Sequence, residues 1–289
     1  MGKHAYLIIA HNEFELLKTL LIMLDYKEND IYLHIDKKVR SFDMDSLKKY
    51  ISESKLVVLD NRVDVQWGNF SQIECELRLL EQALDGKYEY YHLMSGVDLP
   101  LKSQAEIHRF FDQRKGTEFV HFQSMEIDRD AYNRVSKYHF FAKRKKKLIE
   151  KILDKLCLIC QVGVDRTKKT NMVYQKGANW FSITHELATY IVENRHKIEK
   201  MFMYTLCADE MFLQTLIANS RFKNSVSEPN YCDNYGSICY LIDWERGNPY
   251  VFRKQDFEML ISSGQLFARK FSWNTDKDII DRLVRYVKQ

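Results

Sequence analysis

The residues best equipped for chemistry in this 289-residue chain are acids and cations set at the ends of ordered runs. Asp36 closes Ile31-Tyr-Leu-His-Ile35, and Asp98 closes Tyr90-Tyr-His-Leu-Met-Ser-Gly-Val97. Asp209 and Glu210 open a helical stretch. Arg269 and Lys270 stand between Phe267 and Phe271, and Arg253 lies shortly before them. A positioned carboxylate can take a proton as general base, worth ~10²–10⁴-fold. Fixed cations can stabilise charge growing on a leaving group, worth several kcal/mol. Plainer roles fit the same residues. Asp98 could equally cap the next helix, and an acid at a helix start, such as Glu210, favours the helix dipole. Trp180 and Trp244 could stack on a sugar or pack in a core.

The elements that must carry these side chains follow from patterning. Ala5-Tyr-Leu-Ile-Ile-Ala10, Ile31–Ile35 and Leu56-Val-Val-Leu59 are uncharged runs expected as buried strands. Phe14–Leu24 and Asp45–Ser52 between them read as helices. This β-α-β-α-β order predicts an α/β fold, a mostly parallel sheet flanked by helices. Tyr90 onward is a further buried strand that runs into Ser, Gly and Asp, delivering polar atoms to the carboxyl edge where such sheets bind ligands. Pro100 is expected to stop its ladder. Ser71 with Glu74, and Ser103 with Glu106, read as capping boxes. Later strands are expected at Glu118–Phe122, Lys176–Ile183 and Ser237–Ile242, and helices at Leu148–Val162, Glu186–Lys200 and Met211–Ala218. With no linker or repeat, residues 1–289 read as a single domain.

Composition narrows the partners. A net charge of +4 is too small to argue for nucleic acid. The six cysteines have no regular spacing, and Cys157 and Cys160 sit in an apolar run, so reduced thiols are expected rather than a metal or redox centre. No glycine-rich phosphate loop is present. No apolar run reaches the ~20 residues that cross a bilayer, and no signal peptide is apparent. The expectation is a cytoplasmic protein. The basic run Lys143-Arg-Lys-Lys-Lys147, followed by an apolar helix, reads either as a solvated turn or as a peripheral contact with the inner face of a membrane.

Six motifs occur in a fixed order: His34-Ile-Asp-Lys-Lys38, Trp67-Gly68, Ser95-Gly-Val-Asp-Leu-Pro100, Gly177-Ala-Asn-Trp-Phe181, Asp209-Glu210 and Phe267-Ala-Arg-Lys-Phe271. In that order the chain resembles the core-2/I-branching N-acetylglucosaminyltransferases and peptide xylosyltransferases, one family of inverting glycosyltransferases. The resemblance covers nearly the whole chain. It implies a GT-A-like fold, with residues 1–124 as the nucleotide-sugar-binding half and 125–289 as the acceptor-side and catalytic half.

It also implies roles. Glu210 would be the catalytic base. Asp36 would contact the uracil or ribose of a UDP-sugar beside His11, and Asp98 would lie near the donor sugar. Lys270, with Arg253 or Arg269, would hold the diphosphate. Arg134, Asn179, Trp180 and Trp244 are expected at the acceptor, a glycan or lipid-linked oligosaccharide. Asn179 departs from the Asp of xylosyltransferases, which argues mildly against xylose and leaves the sugar open; N-acetylglucosamine is the first expectation, with xylosyl or other hexosyl transfer within the family as the alternative. Where related folds place a metal-binding D-x-D, this sequence has the single acid Asp98, and Asp43-Met-Asp45 reads as helix capping. No metal and no cofactor are therefore expected, the fixed cations standing in for an ion. A non-catalytic carbohydrate- or nucleotide-binding module is the alternative of another class.

Overall fold

A computed structural model describes residues 2–142 and 148–288. The basic run at 143–147 lies outside the described residues. Strand β1 (His4–Ala10) is buried along its whole length, as an uncharged run must be when both sheet faces are covered. It pairs in parallel with β2 (Asn29–Ile35) on one side and β4 (Tyr90–Ser95) on the other, and β2 pairs in parallel with β3 (Lys55–Val58). Helix α1 (Phe14–Leu24) buries Leu16, Leu17, Leu20 and Leu21, and α2 (Ser71–Leu84) buries Ile73, Leu77 and Leu80 against the sheet. The expected α/β architecture, a mostly parallel sheet flanked by helices, is the one observed.

The full strand order is β3-β2-β1-β4-β7-β6, where β6 is Phe119–Val120 and β7 is Phe181–Thr184. The chain leaves β1 toward β3 and returns to pair on the other side of β1, so a crevice opens between the ends of β1 and β4. Strand β7 runs antiparallel to β4, and β6 antiparallel to β7. The residues just before β7 and just after β6 therefore reach the same sheet edge as the ends of β1 and β4.

A second sheet, β5-β9-β8, joins β5 (Asp98–Pro100), β8 (Tyr240–Ile242) and β9 (Phe267–Arg269). Its register sets Asp98 opposite Arg269 and Pro100 opposite Phe267. Pro100 thus ends a short edge strand rather than preventing one, as a residue without an N–H can.

Several local expectations are corrected. Ser103 and Glu106 form the capping box of α3 (Gln104–Asp112), but Ser71 lies inside α2, and its hydroxyl instead accepts from the Gln66 N–H at 2.8 Å. Residues Asp45–Tyr50 form a 3₁₀ turn. The 186–200 stretch is two helices, α6 (His185–Glu193) and α7 (Arg195–Phe202), broken at Asn194. The remaining helices are α4 (Arg129–Ser136), α5 (Leu148–Ile159), α8 (Phe212–Ala218), α9 (Phe257–Ser262) and α10 (Lys277–Val287).

Candidate functional site

At the shared sheet edge lies a cleft of about 560 Å³. Its wall is assembled from strand ends and turns. His11 follows β1, Ser95 ends β4, His121 follows β6 and Trp180 precedes β7. Gly177 lies so close to the carbonyl of His121 that a Cβ would sit 1.8 Å from that oxygen. Its N–H donates to the Glu210 carbonyl at 2.9 Å. Gly177 is therefore the hinge that brings 177–180 against the turn carrying the acids.

That turn is the 3₁₀ segment Ala208–Glu210, entered through Cys207 in the left-handed region (φ 48°). The Cys207 N–H donates to the Gly68 carbonyl at 3.0 Å, which ties the turn to the Trp67-Gly68 loop. The Glu210 side chain is 39% exposed. Arg134 Nη1 donates to its Oε2 at 2.8 Å, while Arg134 Nη2 reaches Asp130 one helical turn away at 2.7 Å. Among the described residues Oε1 of Glu210 accepts no hydrogen bond. Asp209 also lines the cleft. Burial, then the charge of Glu210, pushes its carboxyl up to about 7.

Behind Asp209 lies Glu76 of α2, fully buried. Burial, then the Asp209 charge, raises its pKa well above the usual carboxylate range, while the amides of Gln72 and Asn179 favour its charged form. An Asp in place of Asn179 would set a third carboxyl against this pair.

Besides Lys176, the cation Arg269 lines the cleft. Its Nη1 donates at 2.7 Å to Oδ1 of Asp98, whose side chain is 0% exposed. Asp98 Oδ2 accepts from the Ser95 N–H at 2.8 Å and the Tyr240 hydroxyl at 3.3 Å. Burial raises the Asp98 pKa against the opposing pull of Arg269. The guanidinium of Arg269 lies 4.5 Å over the Trp180 ring, a cation–π contact. Trp180 is largely buried and holds Arg269, leaving Trp67 and Trp244 as the exposed indoles of the cleft.

The structure brings His11, Asn179, Trp180, Glu210, Trp244 and Arg269 to one cleft. Arg134 touches it through Glu210. Asp98 stands behind Arg269. Asp36 is buried beside the cleft: its Oδ1 accepts from the Lys38 N–H at 2.8 Å, and its charge acts on His11. Arg253 and Lys270 are not among the described residues that line the cleft. The Arg253 N–H donates to Asp256 at 2.8 Å, and the Lys270 carbonyl accepts from Phe252 at 2.9 Å.

Other lining residues had no role from sequence: Trp67, His121, Lys176, Asp233 and Tyr235. The Ala178 N–H donates to His121 Nδ1 at 3.0 Å, so the ring hydrogen sits on Nε2, 3.1 Å from Asp233 Oδ1. Burial lowers the His121 pKa. The Trp-Gly turn was a visible signal for Trp67. Nothing in the pattern marked the others.

D-x-D spellings occur at 43–45, 128–130 and 276–278. In each the first Asp accepts a backbone N–H two or three residues into the following turn: Ser46, Ala131 and Ile279. Capping accounts for all three.

A family model for Core-2/I-branching enzymes matches residues 4–259. The chain is similar to xylosyltransferase 2 of Rattus norvegicus, 23% identical, with 96% of this chain and 33% of that protein aligned. It is similar to xylosyltransferase 1 of Homo sapiens at 22% identity, covering 98% of this chain and 30% of that protein. The chain thus spans about a third of the length of the curated relatives it matches. Among solved structures, mouse xyloside xylosyltransferase 1 in its apo form aligns with a TM-score of 0.40 at 9% identity, covering 92% of this chain and 96% of that one.

Proposed function

We propose, because the chain belongs to the Core-2/I-branching enzyme family, that it is an inverting glycosyltransferase moving a sugar from a UDP-sugar to a hydroxyl of a glycan or lipid-linked oligosaccharide. The observation that carries this reading is that one cleft holds a partly exposed carboxylate, Glu210, and an anchored cation, Arg269. Residues 1–124 then supply the nucleoside side with His11 and Asp36, and 125–289 supply the base, the diphosphate cations and part of the acceptor wall.

In this reading the acceptor oxygen attacks the anomeric carbon as its proton passes to Glu210 Oε1. The bond from that carbon to the diphosphate breaks on the opposite face, and the configuration inverts. Negative charge grows on the departing UDP, and Arg269, already oriented by Asp98 and Trp180, stabilises it without reorganisation. His11 and Asp36 flank the base and ribose of the donor. Lys270 and Arg253 serve the diphosphate if donor binding draws their segments inward. Trp67 and Trp244 offer faces to the acceptor sugar. Fixed cations make the reaction metal-independent: turnover in EDTA should match turnover with added manganese.

N-acetylglucosamine is the first donor sugar we propose to test; Asn179, in place of the Asp of xylosyltransferases, speaks against xylose and leaves the sugar otherwise open. Xylose is the second reading, favoured by the names of the curated relatives. UDP release from a panel of UDP-sugars, with and without glycan acceptors, tests both. One donor should stand out, and Glu210→Gln should silence it. Release from no donor would favour the binding module instead.

A further inference from the structure

Helix α5 is built inside out for a soluble protein. Its twelve residues bury none of their number. The least exposed positions are Glu150, Asp154 and Cys157, spaced four and three apart on one face, with Gln161 buried just beyond the helix. Gln161 is fixed there: its side chain accepts from the Tyr138 N–H at 2.7 Å and donates to the Tyr138 carbonyl at 3.0 Å. The polar face is thus turned to the protein body. The opposite face is a stripe of Leu148, Ile149, Ile152, Leu153, Leu156 and Ile159, with Leu148 76% exposed. These fall within about 140° of arc at 3.6 residues per turn. Val162, just past the helix, is 86% exposed.

A stripe of this size on a monomer's surface marks an interaction site. Charge identifies the partner. The stripe is preceded in sequence by five consecutive basic residues, 143–147, and Lys151 and Lys155 are exposed on the helix itself. A second copy of this face would bring the same positive charge to the contact rather than a complement to it. An anionic lipid surface complements them instead, with apolar side chains entering the acyl boundary and lysines among the headgroups.

We propose that α5 is a monotopic membrane anchor that lies in the plane of an anionic bilayer, apolar stripe inward. The placement suits the site. Lys137, which follows α4, donates to the carbonyls of Gln161 and Val164 just beyond α5 at 3.0 and 2.6 Å. Helix α4 carries Arg134, the partner of Glu210. A membrane under α5 therefore lies next to the acceptor wall, where a lipid-linked acceptor would be presented. The anchor itself does not depend on which sugar is transferred.

Vesicle flotation of the full chain tests this. The wild type should float with phosphatidylglycerol/phosphatidylcholine vesicles, far less with phosphatidylcholine alone, and less as salt rises. Ile152→Ser with Leu156→Ser should lower the partition roughly a hundredfold. Changing the five basic residues to Ser should lower it about tenfold or more. The Ile152/Leu156 variant should melt within about 2 °C of wild type, because those positions are exposed, and both variants should keep transfer to a water-soluble acceptor. No flotation of the wild type, or flotation that neither variant alters, overturns the proposal. So does a serine variant that melts far lower, since the stripe would then be packed. Self-association in sedimentation that the serine variant abolishes, without flotation, would assign the face to a second copy.

Discussion

Two arginine–carboxylate pairs reach the same cleft, and they are turned opposite ways. In Asp98–Arg269 the acid is sealed and the cation faces the cleft, at 0% and 18% side-chain exposure. In Glu210–Arg134 the cation is the more withdrawn partner at 19%, and the acid is open at 39%. The bonds are alike, 2.7 and 2.8 Å. What differs is which member retains capacity for a ligand. The sealed acid has spent its oxygens on Arg269, Ser95 and Tyr240, so it orients a cation. The open acid has spent one oxygen on Arg134 and can take a proton with the other. Pair geometry alone would not separate the two roles; burial does.

The largest effect should come from the open acid. Glu210→Gln keeps the shape and an acceptor oxygen for Arg134 but removes the proposed base, so turnover should fall ~10²–10⁴-fold. Since the side chain is partly exposed, the melting temperature should barely move. Initial rates of UDP release beside a thermal melt check this, and retention of a tenth or more of the rate would remove Glu210 from the base role. The sealed acid should behave the other way. Asp98→Asn leaves Arg269 without its counter-charge, and breaking a buried pair costs about 3 kcal/mol. A urea melt should show that loss, with turnover falling too as Arg269 loses its orientation. If Asp98→Asn leaves stability unchanged, the contrast between the pairs collapses.

This contrast also marks where the sequence was legible. Uncharged runs such as Ala5–Ala10 and Tyr90–Ser95 announced buried parallel strands, because a strand covered on both faces admits no charge. The end of the Tyr90 strand therefore pointed to a polar carboxyl edge, where Ser95 and His11 are in fact found together. Short motifs carried Glu210 and Arg269 to that edge. What the chain did not disclose was direction. Asp98 and Asp36 looked like cleft acids because each follows a strand, yet only the register of Asp98 against Arg269 shows that Asp98 points into the interior. His121 and Asp233 were silent because their meeting depends on the irregular 225–233 segment lying along β6, through the Glu118–Val226 bridge and the Asp233 N–H donating to the Phe122 carbonyl at 3.2 Å. For α5 the periodicity showed an apolar stripe but could not say that its polar side faces the protein.

A middle-sized effect should come from the holder of the open acid. Arg134 spans Glu210 and Asp130 with two guanidinium nitrogens, a fork that lysine lacks. Arg134→Ala should lower turnover about tenfold to a hundredfold, with Arg134→Lys recovering part of it. The fall should lie in kcat rather than in the donor KM, and a merely structural role would instead lower the melting temperature along with the rate.

The smallest effect concerns Asp209, which sits beside the open acid as nothing sits beside the sealed one. Its carboxyl is pushed up to about 7, by burial first and then by Glu210. The sign of its contribution follows. Between its unfolded value near 4 and about 7 the folded protein binds a proton that the unfolded chain has released. Stability therefore falls as pH rises through that window, and the full penalty is present above about 7. Asp209→Asn keeps the neutral form at every pH. It should match wild type near pH 4 and exceed it at pH 8, by about 1 kcal/mol once solvent screening of a partly exposed group is allowed for, or about 2–4 °C in Tm. Melts at pH 5, 6.5 and 8 resolve this. An unchanged pH slope would mean that Asp209 ionises freely beside Glu210. The turn that carries the open acid would then hold two ionised acids side by side.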